Sequence, residues 1–351
     1  MGIVVVNSTV NARRKMATDG AICPIHYWGY QHGGSDTLIG HRFNRWEIVL
    51  RSKIGGLDPR VVLQTVRALR SGAIGTYCVT QPDLLRAVPL LKRWFPHKPV
   101  VTWVWTREEA HGWFKLLKHA DLILSLTDDA LIALDQLGLA TKSALGMWGA
   151  PPGFFDQSAT GSDPAHDVMF FGLANRDTAL VRELAHGREF SILTTRKAEP
   201  HLDLASIPGH RVTVSSADKD REMVAAIHTA RVALIPLKPG DLYPTGMTNL
   251  VEALLCGTSV VIPAASLIPA AALGLPGVQR YVAGDLQSFV AAIRAAVDDN
   301  RKPDRRSEIR RAAAKILNGA ELNRRICSAF GMQPQDFWRT DAVPAADQAR
   351  P

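Results

Sequence analysis

Apolar and polar residues alternate in a regular order from about residue 58 onward, with short apolar runs followed by stretches of helical spacing. Asp58-Pro59 predicts a helix start, because proline is favoured at the first helical position, and Val62, Val66 and Leu69 then share one face. Runs with the length and composition of strands are 75–80, 100–105 and 122–126. Stretches with helical spacing are 84–95, 110–119 and 128–137. This alternation predicts a parallel sheet covered by helices on both faces.

A second series of the same kind begins after a break in the pattern. The stretch 151–164 is rich in Pro, Gly, Ser, Asp and Thr without periodicity, which is typical of a linker. Strands are then predicted at 168–172, 190–193, 211–214, 232–237 and 259–262, and helices at 179–185, 220–229, 249–256, 286–297, 305–317 and 321–330. We therefore predict two α/β domains, 1–150 and 165–330, joined by the linker 151–164 and followed by a return segment and tail, 331–351.

The pattern before residue 58 is less regular. Gly2–Val6 and Trp46–Leu50 have the composition of strands. Between them, residues 26–36 (HYWGYQHGGSD) predict an aromatic, glycine-containing loop that leads into a helix through Arg42.

One loop carries the strongest chemical signal. After the predicted strand 232–237, the residues Pro239, Gly240, Pro244 and Gly246 interrupt regular structure, and the helix 249–256 follows. A glycine-bearing loop before a helix start brings free backbone N–H groups and the positive helix end to one point, which suits a phosphate. Glu252 lies one turn into the helix, where a carboxylate can accept the two hydroxyls of a ribose.

The residues 246–261, GMTNLVEALLCGTSVV, resemble the donor-binding signature of GT-B glycosyltransferases, especially of the family-4 type. The resemblance implies two Rossmann-like domains facing across a cleft. It also implies that the diphosphate of a sugar nucleotide is held by Gly246, Met247, Thr248 and Asn249, and its ribose by Glu252. Pro244 stands where many such enzymes carry an acidic residue that faces the donor sugar, and Asp241 is the nearest substitute. The alternative is that Asn249 and Glu252 form a capping-box-like pair in an ordinary strand–helix unit.

The same resemblance implies further site residues outside this loop. Each has a plain alternative, a surface turn for the glycines and a solvated position for the charged residues. Candidates on the donor side are Gly33, Gly34, Arg176, Arg196, Lys197 and Lys238, with Arg176 facing the diphosphate and Arg196 and Lys197 close to the nucleobase. Candidates for contacts to the sugar or acceptor, and hence for catalysis, are His111, Glu108 and Glu109, together with Asp241.

Charge is distributed unevenly along the 351 residues, whose formal net charge is +8. Residues 1–150 carry 18 Lys and Arg against 11 Asp and Glu and hold seven of the eight tryptophans.

The four cysteines are isolated, which suits a reducing compartment, and no apolar run reaches the roughly 18 residues of a membrane span. We expect a cytoplasmic protein without a signal peptide. Leu84–Phe95 mixes leucines and Trp94 with basic residues, which predicts either an interfacial helix on the inner face of an anionic membrane or a core helix with a solvated basic edge.

These observations together predict a hexosyltransferase that moves a sugar from a nucleoside diphosphate sugar to a hydroxyl of a glycan or lipid-linked acceptor, in polysaccharide, glycolipid or envelope glycan biosynthesis. The resemblance implies retention of configuration and no requirement for a metal or other cofactor. Two alternatives from other classes stay open: a sugar-nucleotide epimerase of the same architecture and a non-enzymatic basic nucleic-acid-binding protein. We expect no nucleic-acid partner, because the basic residues are not arrayed in a recognised nucleic-acid motif. A nicotinamide dehydrogenase is disfavoured, because no G-x-G-x-x-G follows a strand.

Overall fold

The computed structural model describes residues 2–6, 23–30, 35–39, 59–79, 84–156, 163–207, 209–217, 220–241 and 243–334. The chain forms two compact units. Unit 1 is drawn from the described residues of Met1–Ile22, His26–Gly146 and Glu321–Phe337, and unit 2 from those of Cys23–Ile25 and Met147–Ala320. The predicted strand Trp46–Leu50 lies outside the described residues.

Unit 1 contains a parallel sheet of six strands in the order β2-β1-β3-β4-β5-β6. Its strands are β1 Val4–Val6, β2 Thr37–Ile39, β3 Thr76–Cys78, β4 Val100–Val104, β5 Leu122–Ser125 and β6 Ser143–Leu145. The prediction of a helix through Arg42 is wrong, because β2 occupies part of that stretch. The carboxylate of Asp36 accepts a hydrogen bond from the backbone N–H of Ile3 (2.8 Å), and Thr37 pairs with Val4, so contacts distant in sequence override the local pattern.

The helices of unit 1 are α1 Pro59–Arg70, α2 Val88–Trp94, α3 Arg107–Gly112, α4 Phe114–Leu117, α5 Asp128–Gln136 and α12 Ala320–Ala329. The stretch predicted as one helix over 110–119 begins earlier and is divided at Trp113. The stretch 84–95 is a 3₁₀ turn, Leu85–Ala87, followed by α2, with Pro89 in the first turn of α2. Val62 is half-buried rather than central to the inner face of α1, which is formed by Val61, Thr65, Val66 and Leu69.

Unit 2 contains a second parallel sheet of six strands in the order β12-β11-β10-β7-β8-β9. Its strands are β7 His166–Phe170, β8 Ile192–Thr195, β9 Val212–Ser215, β10 Ala230–Leu234, β11 Ser259–Pro263 and β12 Val278–Tyr281. Its helices are α6 Thr178–Gly187, α7 Asp220–His228, α8 Met247–Leu255, α9 Ala270–Leu273, α10 Leu286–Asn300 and α11 Arg305–Ile316. The α/β class with two parallel sheets is thus confirmed.

Alternate residues of the central strand β10 pack into different apolar clusters on the two faces of the unit 2 sheet. Val232 and Leu234 join one cluster, and Ala233 joins the other. Asp285 caps α10, since its carboxylate accepts from the N–H groups of Gln287 (2.9 Å) and Ser288 (3.2 Å). A strand buried on both faces carries a run of apolar residues, which is why Val232–Leu234 of β10 stand out in the sequence.

Part of the predicted linker is folded against unit 2. Pro152–Phe154 form a 3₁₀ turn, and Phe155 is fully buried. The carbonyl oxygen of Phe155 lies 3.0 Å from Nε2 of His228 on α7. Burial lowers the pKa of His228, so its ring is neutral and donates to this carbonyl.

Of the helices that the structure describes, none combines the length and the apolar character needed to cross a membrane.

Candidate functional site

The order of strands in unit 2 indicates where a ligand binds. From β7 the chain proceeds outward to β8 and β9 and then returns to place β10 on the other side of β7. In open parallel sheets, ligands bind beyond the carboxyl ends of the two strands at such a reversal. The loops in question are 171–177, after β7, and 235–246, after β10. The candidate site is therefore built from these two loops and the helix that follows the second.

The two loops are joined by backbone hydrogen bonds. Arg176 and Leu237 form an isolated antiparallel bridge. On either side of it, the N–H of Asp177 donates to the carbonyl of Pro236 (2.8 Å), and the N–H of Lys238 donates to the carbonyl of Asn175 (3.1 Å). The loops thus act as one unit, so that side chains of both have fixed positions beside the sheet.

The start of α8 is open to a ligand. Gly246 precedes the helix with φ +88°, and this capping residue has no side chain that could bond to the first N–H groups. A Cβ at Gly246 would lie 2.5 Å from Cγ2 of Ile235, so glycine is needed there for space as well as for its backbone angle. The first N–H groups of a helix have no partner inside the helix, and here they attract an anion together with the helix dipole.

The capping-box alternative for this helix is wrong. Asn249 and Glu252 are the third and sixth residues of α8, so neither precedes the helix as a capping residue must. Met247 is 1% exposed and contributes to the core, and its backbone N–H donates a long hydrogen bond to the carbonyl of Pro244 (3.4 Å). The helix begins two residues earlier than predicted and ends at Leu255.

Arg176 is a buried cation behind this helix start. It is only 4% exposed, so the alternative of a solvated loop arginine is wrong. Its Nη2 donates to Oδ1 of Asn249 (2.5 Å), and its Nη1 donates to the carbonyl of Ala174 (2.7 Å). Burial lowers the pKa of Arg176 to about 10, against the opposing effect of Asp241, so the guanidinium stays charged at neutral pH. The site therefore holds a fixed positive charge next to the open N–H groups of α8.

Gly172 makes the approach of Arg176 and Asn249 possible. Its φ is +79°, and a Cβ at this position would lie 2.8 Å from Oδ1 of Asn249 and 2.9 Å from Nη2 of Arg176. Sequence reasoning did not assign Gly172 to the site. The available signal was a glycine directly after an apolar strand, which often marks a close approach of backbone to another group.

Asp241 places a carboxylate in the same loop. Its Oδ1 accepts from the N–H of Tyr243 (3.1 Å). Among the described residues, its Oδ2 and the Nε of Arg176 are buried atoms without a hydrogen-bond partner. Buried polar atoms rarely stay unpaired, so both are candidates for contacts with a bound molecule.

Glu252 faces the interior of unit 2 at 8% exposure. Burial raises the pKa of the Cys23 and Cys256 thiols, and the negative charge of Glu252 raises both further, so these cysteines are neutral neighbours of the carboxylate. The N–H of Cys23 donates to the carboxylate of Asp220 (2.6 Å). A role of Glu252 in holding a ribose stays a prediction.

The remaining basic candidates of unit 2 are exposed at the carboxyl ends of its strands. Lys238 belongs to the joined loops beside Arg176. Arg196 and Lys197 follow β8, where the N–H of Arg196 donates to the carbonyl of Ser215 (3.2 Å). Thr248 is half-buried in the first turn of α8. Gly33 and Gly34 lie outside the described residues.

The candidates in unit 1 are gathered on α3. Glu108 and His111 are exposed. Glu109 is half-buried and caps the helix: its Oε2 accepts from the N–H of Trp105 (2.8 Å), and its own N–H donates to Oγ1 of Thr106 (3.2 Å). Burial raises the pKa of Glu109. The carboxylate of Glu109 thus fixes the start of α3, and contacts of these three residues with a sugar stay predictions. No group of three or more His, Cys, Asp or Glu side chains that could hold a metal ion occurs within the described ranges.

Comparison with known proteins finds similar structures but no similar sequence. No protein-family model matches the sequence, and no curated protein matches it. Among solved structures, HepE of Anabaena in complex with UDP is similar over 94% of this chain and 100% of that chain, with a TM-score of 0.67 and 12% identity. The lipopolysaccharide outer core galactosyltransferase WaaB is similar over 93% and 99%, with a TM-score of 0.60 and 13% identity.

One similar structure has a different described activity. A UDP-N-acetylglucosamine 2-epimerase from Listeria monocytogenes is similar over 93% of this chain and 95% of that chain, with a TM-score of 0.57 and 11% identity. At these identities the likeness concerns the fold. The chain has the GT-B glycosyltransferase fold, as its sequence motif implied.

Proposed function

We propose that this chain is a glycosyltransferase that uses a nucleoside diphosphate sugar as donor. The observation that carries the proposal is the open start of α8 with the buried guanidinium of Arg176 beside it, at the reversal of strand order in unit 2. Backbone N–H groups and one fixed cation suit a diphosphate. The similar structures include one with UDP and another of the same protein with UDP-glucose, which supports this class of donor.

Each described site residue has a role in this proposal. The N–H groups of 247–249 and Arg176 bind the diphosphate, and Glu252 accepts hydrogen bonds from the ribose. Asp241, with its unpaired Oδ2, faces the donor sugar in place of the acidic residue that Pro244 replaces. The nucleobase lies toward the end of β8, near Arg196 and Lys197.

The chemical step needs little more than positioning and electrostatic stabilisation. Negative charge grows on the diphosphate as the bond to the anomeric carbon breaks, and Arg176 and the helix start stabilise it most in the transition state. The attacking oxygen is a hydroxyl of the acceptor, and we assign binding of the acceptor to unit 1. With retention of configuration, the departing phosphate oxygen takes the proton of the acceptor hydroxyl, so that no side chain need act as base. The anomeric configuration of the product, measured by NMR, tests this step.

The donor is identified by thermal shift with conjugates of UDP, GDP, ADP, CMP and dTDP. A ligand that binds only the folded state raises the melting temperature, by about 2.7 kcal/mol of stability at a hundredfold excess over Kd. One class of nucleotide sugar is expected to stabilise the wild type, and Arg176→Ala is expected to bind the nucleoside about as before but to lose turnover. Absence of stabilisation by every conjugate would contradict the proposal.

A lipid-linked or envelope glycan acceptor is the second part of the proposal. In the stretch 84–95, Leu84, Leu85, Val88 and Leu91 are buried, as the core-helix alternative predicts. The outer face of the same stretch presents Leu90, 40% exposed, and Trp94, 52% exposed, beside the exposed Arg86 and Arg93. Basic groups near an anionic surface contribute roughly 1 kcal/mol each, and an exposed tryptophan suits the interface.

Co-sedimentation with liposomes of rising anionic content tests this face. We expect salt-sensitive binding that Trp94→Ala and Arg93→Gln weaken, whereas Leu63→Ala, which removes an equally exposed apolar side chain on α1, leaves it unchanged. Binding that ignores lipid charge, or an equal loss in Leu63→Ala, would favour an acceptor that is not held at a membrane.

An epimerase remains the second candidate function, because one similar structure is named as an epimerase. It differs in a measurable way: an epimerase converts the donor sugar in the absence of any acceptor.

A further inference from the structure

An aromatic pair lies at the carboxyl end of β4 in unit 1, apart from the proposed donor residues. Trp105 directly follows β4, and its indole stacks on that of Trp28, with ring centroids 5.6 Å apart and planes inclined by 14°. Both side chains are half-buried. Part of their aromatic surface is therefore accessible at the edge of the sheet where α/β domains bind ligands.

The position of Trp105 is fixed through its backbone. Its N–H donates to the carboxylate of Glu109, and its carbonyl accepts from Oγ1 of Thr127 (3.1 Å). Glu109 belongs to the cap of α3, and Thr127 caps α5 by accepting from the N–H of Ala130 (3.2 Å). Two helix starts thus hold the backbone of Trp105 in place, which limits the positions open to its indole and lowers the entropy lost when a ligand stacks on it.

Trp28 is held in a strained conformation. Its φ of +54° lies in the left-handed region, which is unfavourable for a bulky residue. The hydroxyl of the buried Tyr77 donates to the carbonyl of Trp28 (2.6 Å), and Nε1 of Trp103 donates to that hydroxyl (2.8 Å). Trp103 also packs edge-on against Trp28, at 5.3 Å between centroids. Strain that the surroundings maintain in this way is concentrated at functional sites.

We propose that Trp28 and Trp105 form a stacking platform for a pyranose ring of the acceptor. This inference rests on the proposed transferase function and names the side chains that hold a sugar ring of the acceptor. The face of an indole carries partial negative charge, and the C–H groups on one face of a pyranose are polarised positively, so the two surfaces attract each other. Rigid aromatic side chains also lose little conformational entropy on contact.

The test is binding of saccharides without any donor. A glycan array of common hexopyranosides identifies a ligand, and saturation-transfer NMR then measures its affinity and the protons that touch the protein. We expect saturation concentrated on one face of one ring. Trp105→Ala should weaken binding at least about fivefold, and Trp105→Phe should retain most of it. Leu63→Ala, a matched apolar truncation at an exposed site of the same unit, should bind as the wild type does.

Several outcomes would overturn the platform. These are no retained glycan, affinity of folded Trp105→Ala within twofold of the wild type, or a loss in Leu63→Ala as large as in the tryptophan variant. If Trp105→Ala does not fold, Trp105→Leu, which is apolar but not aromatic, takes its place: with wild-type circular dichroism, a saturation pattern that no longer favours one face would support the proposal, and an unchanged pattern would overturn it.

Parallel titration with nucleoside diphosphate sugars separates this inference from the proposed function. Donor binding without glycan binding overturns the platform alone. Glycan binding that depends on Trp105, without any donor binding, overturns the transferase function and leaves a saccharide-binding site.

Discussion

Replacing Gly172 by alanine tests the geometry of the candidate site without any ligand. The added Cβ meets Oδ1 of Asn249 at 2.8 Å and Nη2 of Arg176 at 2.9 Å, both closer than real contacts allow. Because Arg176 is 4% exposed and bonded on both sides, it cannot move aside without losing its hydrogen bond to Asn249. Gly284→Ala is a matched control in the same unit. Its φ is +81° against +79° at Gly172, and its Cβ meets only Cγ of Pro239 at an ordinary 3.8 Å.

The free energies of unfolding of the two variants should differ by the contribution of the hydrogen bond between Arg176 and Asn249. Both place alanine in the left-handed region, at about 1–2 kcal/mol. Gly172→Ala also disturbs a hydrogen bond to a charged group, at about 1.5–3 kcal/mol. At roughly 2–4 °C per kcal/mol for a domain of this size, Gly284→Ala should lower the melting temperature by about 2–8 °C and Gly172→Ala by about 5–20 °C.

Differential scanning calorimetry with and without the donor nucleotide measures both effects. Stabilisation by the nucleotide should persist in Gly284→Ala and shrink in Gly172→Ala, since the latter displaces Arg176 and Asn249 from the start of α8. Equal melting temperatures of the two variants, or equal nucleotide stabilisation, would refute the close packing of Gly172 against these side chains.

Three further predictions concern single side chains. Glu252→Gln should weaken nucleotide binding about 10- to 100-fold by calorimetric titration, while Glu183→Gln on the exposed face of α6 leaves it unchanged; equal affinities would remove the ribose role. Thr127→Ala should lower the free energy of unfolding by about 1 kcal/mol through loss of the α5 cap, and Thr127→Ser should restore it; an alanine variant as stable as the wild type would exclude the cap. Because burial lowers the pKa of His228 below 6.5, the unfolded chain binds more protons and stability should fall as pH drops below about 6.5; denaturation of His228→Gln should show a weaker fall, and an identical profile would argue against the neutral ring.

The sequence predicted the parts of the fold that depend on local pattern. Strands buried on both faces, such as β10 and β11, contain the apolar runs Val232–Leu234 and Val260–Ile262. Helices with side-chain caps, such as α5 and α10, have recognisable first residues. Edge strand β12 escaped prediction because its VQRY sequence is only partly apolar and includes the exposed Arg280. β2 was mistaken for helix because its pairing with β1 is not local.

For the candidate site too, the sequence predicts the parts that depend on a local motif but not those that depend on distant contacts. Gly246 and the helix start of α8 follow from a local motif. The burial of Arg176 does not, because its partner Asn249 lies 73 residues further along the chain and the room for both depends on Gly172. Likewise, the stacking of Trp28 on Trp105 joins residues that only the folded sheet brings together.

Acceptor-dependent turnover of the donor tests the proposed glycosyltransferase function most directly. The purified protein is incubated with the nucleotide sugar that stabilises it, with and without a glycan acceptor, and nucleoside diphosphate release and product mass are followed together. We expect release that requires the acceptor, an acceptor heavier by one sugar, and loss of both in Arg176→Ala. Conversion or hydrolysis of the donor at the same rate without any acceptor would contradict it.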